Sequence, residues 1–305
     1  MKKISLTIAI PAHNEENSLP QILNQISLVK LPRNITLSKI ILISDGSSDN
    51  TPKIIQNFKL RKLSIIKIIE NVRRGKIHRL NQIFHTSVTD YLLILDADIK
   101  LEENTVSSLI QAAIKTKALL TVSHQIPVKP DTFIGNVIYT GYLLWNDIRT
   151  YRPEYLDNPQ NFYGASSLYQ KIFYKSLKIP SQFNDERKFI YYSAKQKGKF
   201  IYDMKSVIYY HPVSTYLDLY NQSSRSHGID EKINKYFKNC VPKHTEIIIS
   251  DKKINTLKHL IKDPINISLY LILRNYINFT KKVDPLVTKG MWSITTSTKK
   301  GFKNI

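Results

Sequence analysis

Two carboxylates one residue apart, Asp96 and Asp98 in Tyr91-Leu92-Leu93-Ile94-Leu95-Asp96-Ala97-Asp98, follow five largely apolar residues. That run reads as a buried strand. Unpaired charge in a core is costly, so the carboxylates must emerge where the strand ends. In an open α/β sheet, ligands bind at the C-terminal edge of the strands. Two hard oxygen donors there suit Mg²⁺ or Mn²⁺ held jointly with a phosphorylated ligand, because Mg²⁺ takes one or two carboxylates and leaves its other positions to phosphates and water. Asp-x-Asp alone also fits a solvated turn; its neighbours decide.

Three more polar clusters end strand-like runs. They are Pro11-Ala12-His13-Asn14-Glu15-Glu16, Ser44-Asp45-Gly46-Ser47-Ser48-Asp49 and Asn71-Val72-Arg73-Arg74-Gly75-Lys76. In a parallel sheet these loops share one edge and converge on one ligand. Glu15 and Asp45 are acceptors fit for a base and ribose. Lys76, with a metal on Asp98, offers positive charge to a diphosphate.

The elements that must position these loops alternate. Strands are read at residues 6–11, 40–44, 63–69, 91–95 and 119–123, with helical periodicity at 16–28, 76–85 and 103–117. Ser48-Asp49-Asn50-Thr51-Pro52 marks another helix start. Alternation predicts an α/β fold whose mainly parallel sheet is covered by helices on both faces. After Pro130 the rhythm changes. A long helix is read at 131–151, strands at 162–169, 200–204 and 207–210, and a helix at 185–197. Past Ser250 the chain is basic and helical.

The order of these clusters resembles the family-2 glycosyltransferases of the GT-A fold. Those enzymes show Pro-Ala-x-Asn-Glu, then Asp-Gly-Ser-x-Asp-x-Thr, then Asn-x-x-x-Gly-Lys with a downstream Asn, then Asp-x-Asp. Here these are Pro11–Glu15, Asp45–Thr51, Asn71 with Arg74-Gly75-Lys76 and Asn81, and Asp96–Asp98, with His13 where Tyr is commoner. The resemblance is closest over about residues 5–125 and runs more loosely to about 228. It implies a nucleotide-sugar-binding half at 1–125, an acceptor half at 126–228 and a basic helical extension at 229–305. It implies donor contacts from Pro11, Ala12, Glu15, Asp45, Lys76 and Asp96, and a metal, Mn²⁺ or Mg²⁺, on Asp98. His211 is either a further metal ligand, as in some relatives, or a structural histidine. The family's catalytic base falls at Asn184-Asp185-Glu186, where Asn184 stands in place of the usual first acid. Asp185 is assigned as base and Glu186 as its understudy. Gly164 matches a Gly beside the substrate. Gln222-Ser223-Ser224-Arg225 is similar to a Gln-x-x-Arg-Trp element, but Ser226 replaces the Trp that marks processive synthases.

The implied reaction is inverting, metal-dependent transfer from a nucleotide-diphosphate sugar, by default a UDP-sugar. The acceptor is a hydroxyl of a saccharide or a lipid-linked glycan, as in cell-envelope polysaccharide synthesis. A non-catalytic nucleotide-sugar-binding module is the alternative reading. The charge is uneven: residues 187–305 carry 22 Lys/Arg against 8 Asp/Glu, within a chain total of +21. Such a surface suits anionic partners, but no nucleic-acid-binding motif accompanies it, so nucleic acid ranks low. An anionic membrane remains a partner to test. Residues 264–282 carry a helical stripe of Ile265, Leu269, Ile272, Leu273 and Tyr276 that suits either an interfacial helix or one docked on the domain. No run reaches the roughly 20 apolar residues of a spanning helix. Met1-Lys2-Lys3 opens a strand rather than a secretion signal. The single Cys240 reads as a buried thiol in a reducing compartment. These signs place the protein in the cytoplasm or at the inner face of the cell membrane.

Overall fold

A computed structural model describes residues 3–183, 185–225, 228–238, 241–282 and 295–302. Asn184, Ser226, His227 and Cys240 lie outside the described residues. The chain runs β1 (Ile4–Ala12), α1 (Leu19–Ser27), β2 (Ile35–Asp45), α2 (Thr51–Asn57), β3 (Ser64–Glu70), α3 (Lys76–Thr86), β4 (Tyr91–Leu95), β5 (Ile99–Leu101), α4 (Thr105–Thr116), β6 (Leu120–Pro127) and α5 (Phe133–Thr150). Then follow β7 (Ser166–Gln170), α6 (Lys171–Tyr174), α7 (Glu186–Lys197), β8 (Phe200–Tyr210), α8 (Tyr216–Arg225), α9 (Ile229–Tyr236), α10 (Ile249–Lys262) and α11 (Pro264–Thr280).

The strands form one eight-stranded sheet in the order β3-β2-β1-β4-β7-β6-β8-β5. Its first four strands pair in parallel. The apolar runs explain why. Ala9, Ile41, Ile43, Leu92 and Ile94 pack on one face with Ile77, Leu80 and Ile83 of α3. Ile8, Ile10, Ile40, Leu42, Leu93 and Leu95 pack on the other with Leu19 and Ile22 of α1 and Leu109 of α4. Strands buried on both faces need near-continuous apolar sequence, which these have. Their polar ends therefore collect at one edge.

β7 enters antiparallel between β4 and β6 and makes the sheet mixed. Sequence rhythm alone does not show this, because the chain between α5 and β7 returns through two short 3₁₀ turns at Pro153–Leu156 and Pro159–Asn161. The two strands read at 200–204 and 207–210 are one strand. It carries an irregularity where its pairing jumps from Asp203 opposite Ser123 to Val207 opposite His124. The three-residue β5 was not anticipated; it directly follows Asp98 and pairs with β8.

The C-terminal helices belong to the same body. α11 packs on α5, and a Cβ on Gly141 of α5 would fall 2.1 Å from the Tyr270 ring. Ile267 joins Leu144 and Ile148, while Ile277 joins Ile138 and Leu219. Among the described residues, no helix is long and apolar enough to cross a membrane.

Candidate active site

The first two loops are stapled together by their own polar residues. Asn14, at a left-handed φ of 54°, donates its N–H to Ser47 Oγ at 3.1 Å and accepts from Ser48 N–H at 2.8 Å. Glu15 N–H donates to Thr51 Oγ1 at 2.7 Å. Glu16 N–H donates to Asp49 at 3.0 Å, and Glu16 accepts from Asn50 N–H at 3.0 Å. The Asn-Glu-Glu and Asp-Asn-Thr strings thus serve each other. Their reciprocal bonds satisfy loop backbone that neither strand can pair.

The third loop is tied to the second through Asp45. Its carboxylate accepts from Arg74 N–H and Gly75 N–H, both at 2.9 Å, and from Arg79 Nε at 2.7 Å. Arg79 is fully buried and also reaches Glu70 at 3.1 Å. Gly46 makes this closure possible. Its φ is +64°, and a Cβ there would lie 2.3 Å from Arg73 N, a fit that only Gly makes without strain.

One pocket collects the result. Pro11, Ala12, Glu15, Asp45, Lys76, Asp96 and Asp98 line it together, with Arg73, Arg225 and Lys299 among its other walls. Lys76 Nζ donates to both Asp96 oxygens, at 2.8 and 3.1 Å. Burial opposes the charge on Lys76, but Asp96 and Glu186 outweigh it and raise the amine's pKa. Burial, with Glu15 and Asp96 nearby, pushes the Asp98 carboxyl up to about 7.

A second pocket shares Lys76, Asp96, Asp98 and Arg225, and adds Tyr163, Arg187, His211 and Gln222. His211 stacks on Phe302 with ring centroids 4.4 Å apart, and its Nε2 is buried without a hydrogen-bond partner among the described residues. Asp98 and His211 therefore meet at one cavity. Among the described residues no three His, Cys, Asp or Glu side chains form a ready-made metal cage.

Asp185 and Glu186 open α7 and differ sharply. Asp185 caps the helix, accepting from Arg187 N–H at 3.0 Å and from Arg187 Nε at 2.7 Å, with the guanidinium's other arm on its second oxygen. Burial works against its charge, yet Arg187 holds its pKa below the usual carboxylate range. Neither Asp185 nor Glu186 lines either pocket; of this helix start only Arg187 does. Both oxygens of Glu186 are buried without a hydrogen-bond partner among the described residues. Lys76 Nζ lies 3.8 Å from Glu186 Oε1. Burial raises the Glu186 pKa; Lys76 opposes the rise and Asp185 adds to it. Gly164, at φ +77°, passes both groups: a Cβ there would lie 3.7 Å from Lys76 Nζ and 3.8 Å from Glu186 Oε1. Asn81 of α3 fixes the loop before α7, exchanging two 2.8 Å hydrogen bonds with the Ile179 backbone.

Lys299 was not anticipated from the sequence. Residues 295–302 lie across the pocket, and Lys299 Nζ donates to Glu15 Oε1 at 2.6 Å and Asn14 O at 3.0 Å, and also to His13 O. Gln21 holds the neighbouring Phe302 backbone with bonds of 2.7 and 2.8 Å. No local pattern points to a pairing across 284 residues.

Parallel strands, polar loops gathered at their ends and an Asp-x-Asp beside a basic pocket are the architecture of the GT-A fold. The profile of glycosyl transferase family 2 matches residues 7–176, and the chain belongs to that family. The poly-beta-1,6-N-acetyl-D-glucosamine synthase of Staphylococcus epidermidis is 31% identical over 100 residues, 32% of this chain and 23% of that protein. The undecaprenyl-phosphate 4-deoxy-4-formamido-L-arabinose transferase of Proteus mirabilis is 32% identical over 97 residues, 31% of this chain and 29% of that protein. The matched stretch thus spans less than a third of either relative. In fold, the chain is similar to the mannosyltransferase PcManGT of Pyrobaculum calidifontis, solved with GDP-Man and Mn²⁺. There the TM-score is 0.57 at 14% identity, covering 93% of this chain and 77% of that one. It is also similar to S. aureus TarS 1-349 solved with UDP-GlcNAc, with a TM-score of 0.53 at 12% identity, covering 78% and 73%.

Proposed function

We propose that the protein transfers a sugar from a nucleotide-diphosphate sugar, with UDP as the nucleotide, to a hydroxyl of a saccharide or lipid-linked acceptor, with inversion at the anomeric carbon. The observation that carries this reading is the convergence of Glu15, Asp45, Lys76, Asp96 and Asp98 on one pocket, with a buried carboxylate, Glu186, that faces Lys76 at 3.8 Å and has no hydrogen-bond partner among the described residues. Solved relatives in fold hold UDP-GlcNAc or GDP-Man, which agrees with a nucleotide-sugar donor. Asp45, Pro11 and Ala12 shape the nucleoside wall, and Glu15 offers an acceptor there once Lys299 shifts. Lys76, steered by Asp96, faces the diphosphate.

The residues at the second pocket fit a divalent cation. An orphaned His211 nitrogen and a crowded Asp98 carboxylate supply two protein ligands, which leaves room for diphosphate oxygens. Mn²⁺ or Mg²⁺ held there would supply Lewis-acid neutralisation of the departing diphosphate.

Glu186 is the better-placed base. A base must present a lone pair, and Arg187 engages three of the four on Asp185, whereas neither oxygen of Glu186 is hydrogen-bonded among the described residues. Glu186 takes the proton of the acceptor hydroxyl as that oxygen attacks the anomeric carbon. The bond from that carbon to the diphosphate oxygen breaks, and the nucleoside diphosphate leaves with its electron pair. Asp185 positions this carboxylate by capping α7. Calorimetry with UDP, with Mn²⁺ and then with EDTA, tests the reading. Binding should require the metal in the parent and be lost in Asp98→Ala. Equal affinity in EDTA would overturn the metal assignment.

A further inference from the structure

α10 and α11 are docked on α5 by one side only. α11 buries Ile267, Tyr270 and Ile277. Its opposite side holds Ile265, Leu269, Ile272, Tyr276 and Phe279, at helical spacings of four, three, four and three. All are exposed, Ile265 and Ile272 by about two thirds and Phe279 by 91%. On α10, Ile254, Leu257 and Ile261 repeat the arrangement at spacings of three and four, with Ile261 77% exposed. The stripe expected from sequence to be either docked or interfacial is therefore neither alternative alone: the helix docks through other residues and leaves most of the stripe outside. Leu273 is the exception, packing beside Ile138 and Ile277.

The two helices carry mainly positive charge, while acids flank them at Asp147, 60% exposed against His259, and at the exposed Glu246 before α10. Within residues 249–282 there are seven Lys/Arg and two Asp/Glu. Both acids are used internally. Asp251 is buried and binds Arg152 at 2.6 and 2.9 Å, and Asp263 caps α11 through Asn266. Lys253, Lys258, Lys262 and Lys282 remain exposed. A second copy of this chain would bring the same cations against them, which like-charge repulsion disfavours. A bilayer rich in acidic phospholipid matches both features. Its acyl boundary accepts the apolar row, and its headgroups accept the lysines.

We infer that the outer face of α10 and α11 is a peripheral docking surface for an anionic phospholipid bilayer. The helices lie in the interface plane, the lysine stems run along the apolar row, and their amines reach headgroup phosphates. The patch continues onto α8, where Leu217 and Tyr216 are exposed and the Tyr216 ring lies 6.4 Å from that of Tyr276. α8 also supplies Gln222 and Arg225 to the pocket. Docking therefore sets the bilayer against the helix that forms part of the pocket wall.

Co-sedimentation of the full chain with vesicles tests this without donor, metal or acceptor. Binding is expected on phosphatidylcholine vesicles containing about 30% phosphatidylglycerol. It should weaken with salt, and pure phosphatidylcholine should bind far less. The triple variant Ile261→Glu, Ile272→Glu, Phe279→Glu should reduce binding at least ~10-fold. Its side chains are exposed, so thermal melting should match the parent. The quadruple variant Lys253→Gln, Lys258→Gln, Lys262→Gln, Lys282→Gln, which leaves the apolar face untouched, should erase the preference for anionic vesicles. A parent chain that stays in the supernatant with anionic vesicles overturns the inference. So does a parent dimer that ignores vesicles and dissociates in the triple variant, which would assign the face to a second copy.

Discussion

The Asp45 loop and the start of α7 both bury carboxylates, and they treat them in opposite ways. Asp45 meets two backbone N–H groups and the Arg79 guanidinium. Asp185 is matched in the same manner by Arg187. Glu186, one residue on, has no such match. Burying a carboxylate without hydrogen bonds is costly, and such strained arrangements cluster at functional sites. The difference separates carboxylates locked by hydrogen bonds from the proposed base, which faces only Lys76 at 3.8 Å.

Breaking the unmatched side should have the largest effect on rate. Glu186→Gln keeps the shape of the side chain but cannot accept a proton. Transfer should fall by about 10²- to 10⁴-fold, with UDP affinity in calorimetry unchanged. The same variant should melt no lower than the parent. The Glu186 pKa is raised by burial, so its contribution to stability is present at low pH and lost as pH rises through the folded value. Gln removes that loss. The parent's rate should rise with pH along an acid limb set above the ordinary glutamate range. A fully active Glu186→Gln would return the base to Asp185.

Breaking the matched side should instead strike the fold. Arg79→Met strips the buried Asp45 of its cation and leaves it only two backbone N–H groups, at a cost of about 3–5 kcal/mol. Denaturant titration should show that drop together with loss of UDP binding. Asp185→Asn removes the Arg187 ion pair but keeps a capping side chain, and should cost about 1 kcal/mol with transfer within a few-fold of the parent. Because Arg187 lowers the Asp185 pKa, that stabilisation exists above the unfolded pKa and fades as pH falls. The melting points of parent and variant should therefore converge in acid. The smallest effect belongs to the exposed Lys30–Glu103 pair at 2.7 Å. Lys30→Ala should leave both melting and transfer unchanged, because exposed ion pairs contribute little.

The first half of the fold was legible because β1, β2 and β4 are apolar runs that stop abruptly at polar clusters. Parallel pairing then forces those clusters to one edge. The second half was less so. Three-residue β5 is too short for a periodicity signal, and nothing local announces that β7 runs against its neighbours. At the site, residue type identified Glu15, Asp45, Lys76, Asp96 and Asp98 as a group. It did not separate Asp185 from Glu186, because both are acids at the same helix start. What separates them is Arg187, whose side chain turns back on the residue two positions before it. The stripe on α11 shows the same limit. Periodicity finds an apolar row, whereas which rows are covered depends on α5, more than a hundred residues earlier.

The wall that Lys299 adds to the pocket has a consequence for the order of synthesis. The β1–β4 sheet and its helices are complete within the first hundred or so residues, and domains begin to fold as they emerge. The proposed donor pocket is not finished at that stage. Its rim waits for residues 295–302, whose contacts with His13, Glu15 and Gln21 close loops of more than 280 residues. Contacts of such separation form late, because the loop-closure cost precedes their gain. A nascent chain thus carries the Asp-x-Asp edge and the Asn14 and Asp45 loops well before it owns the closed pocket, so competence for ligand should wait until residues 295–302 are made and docked.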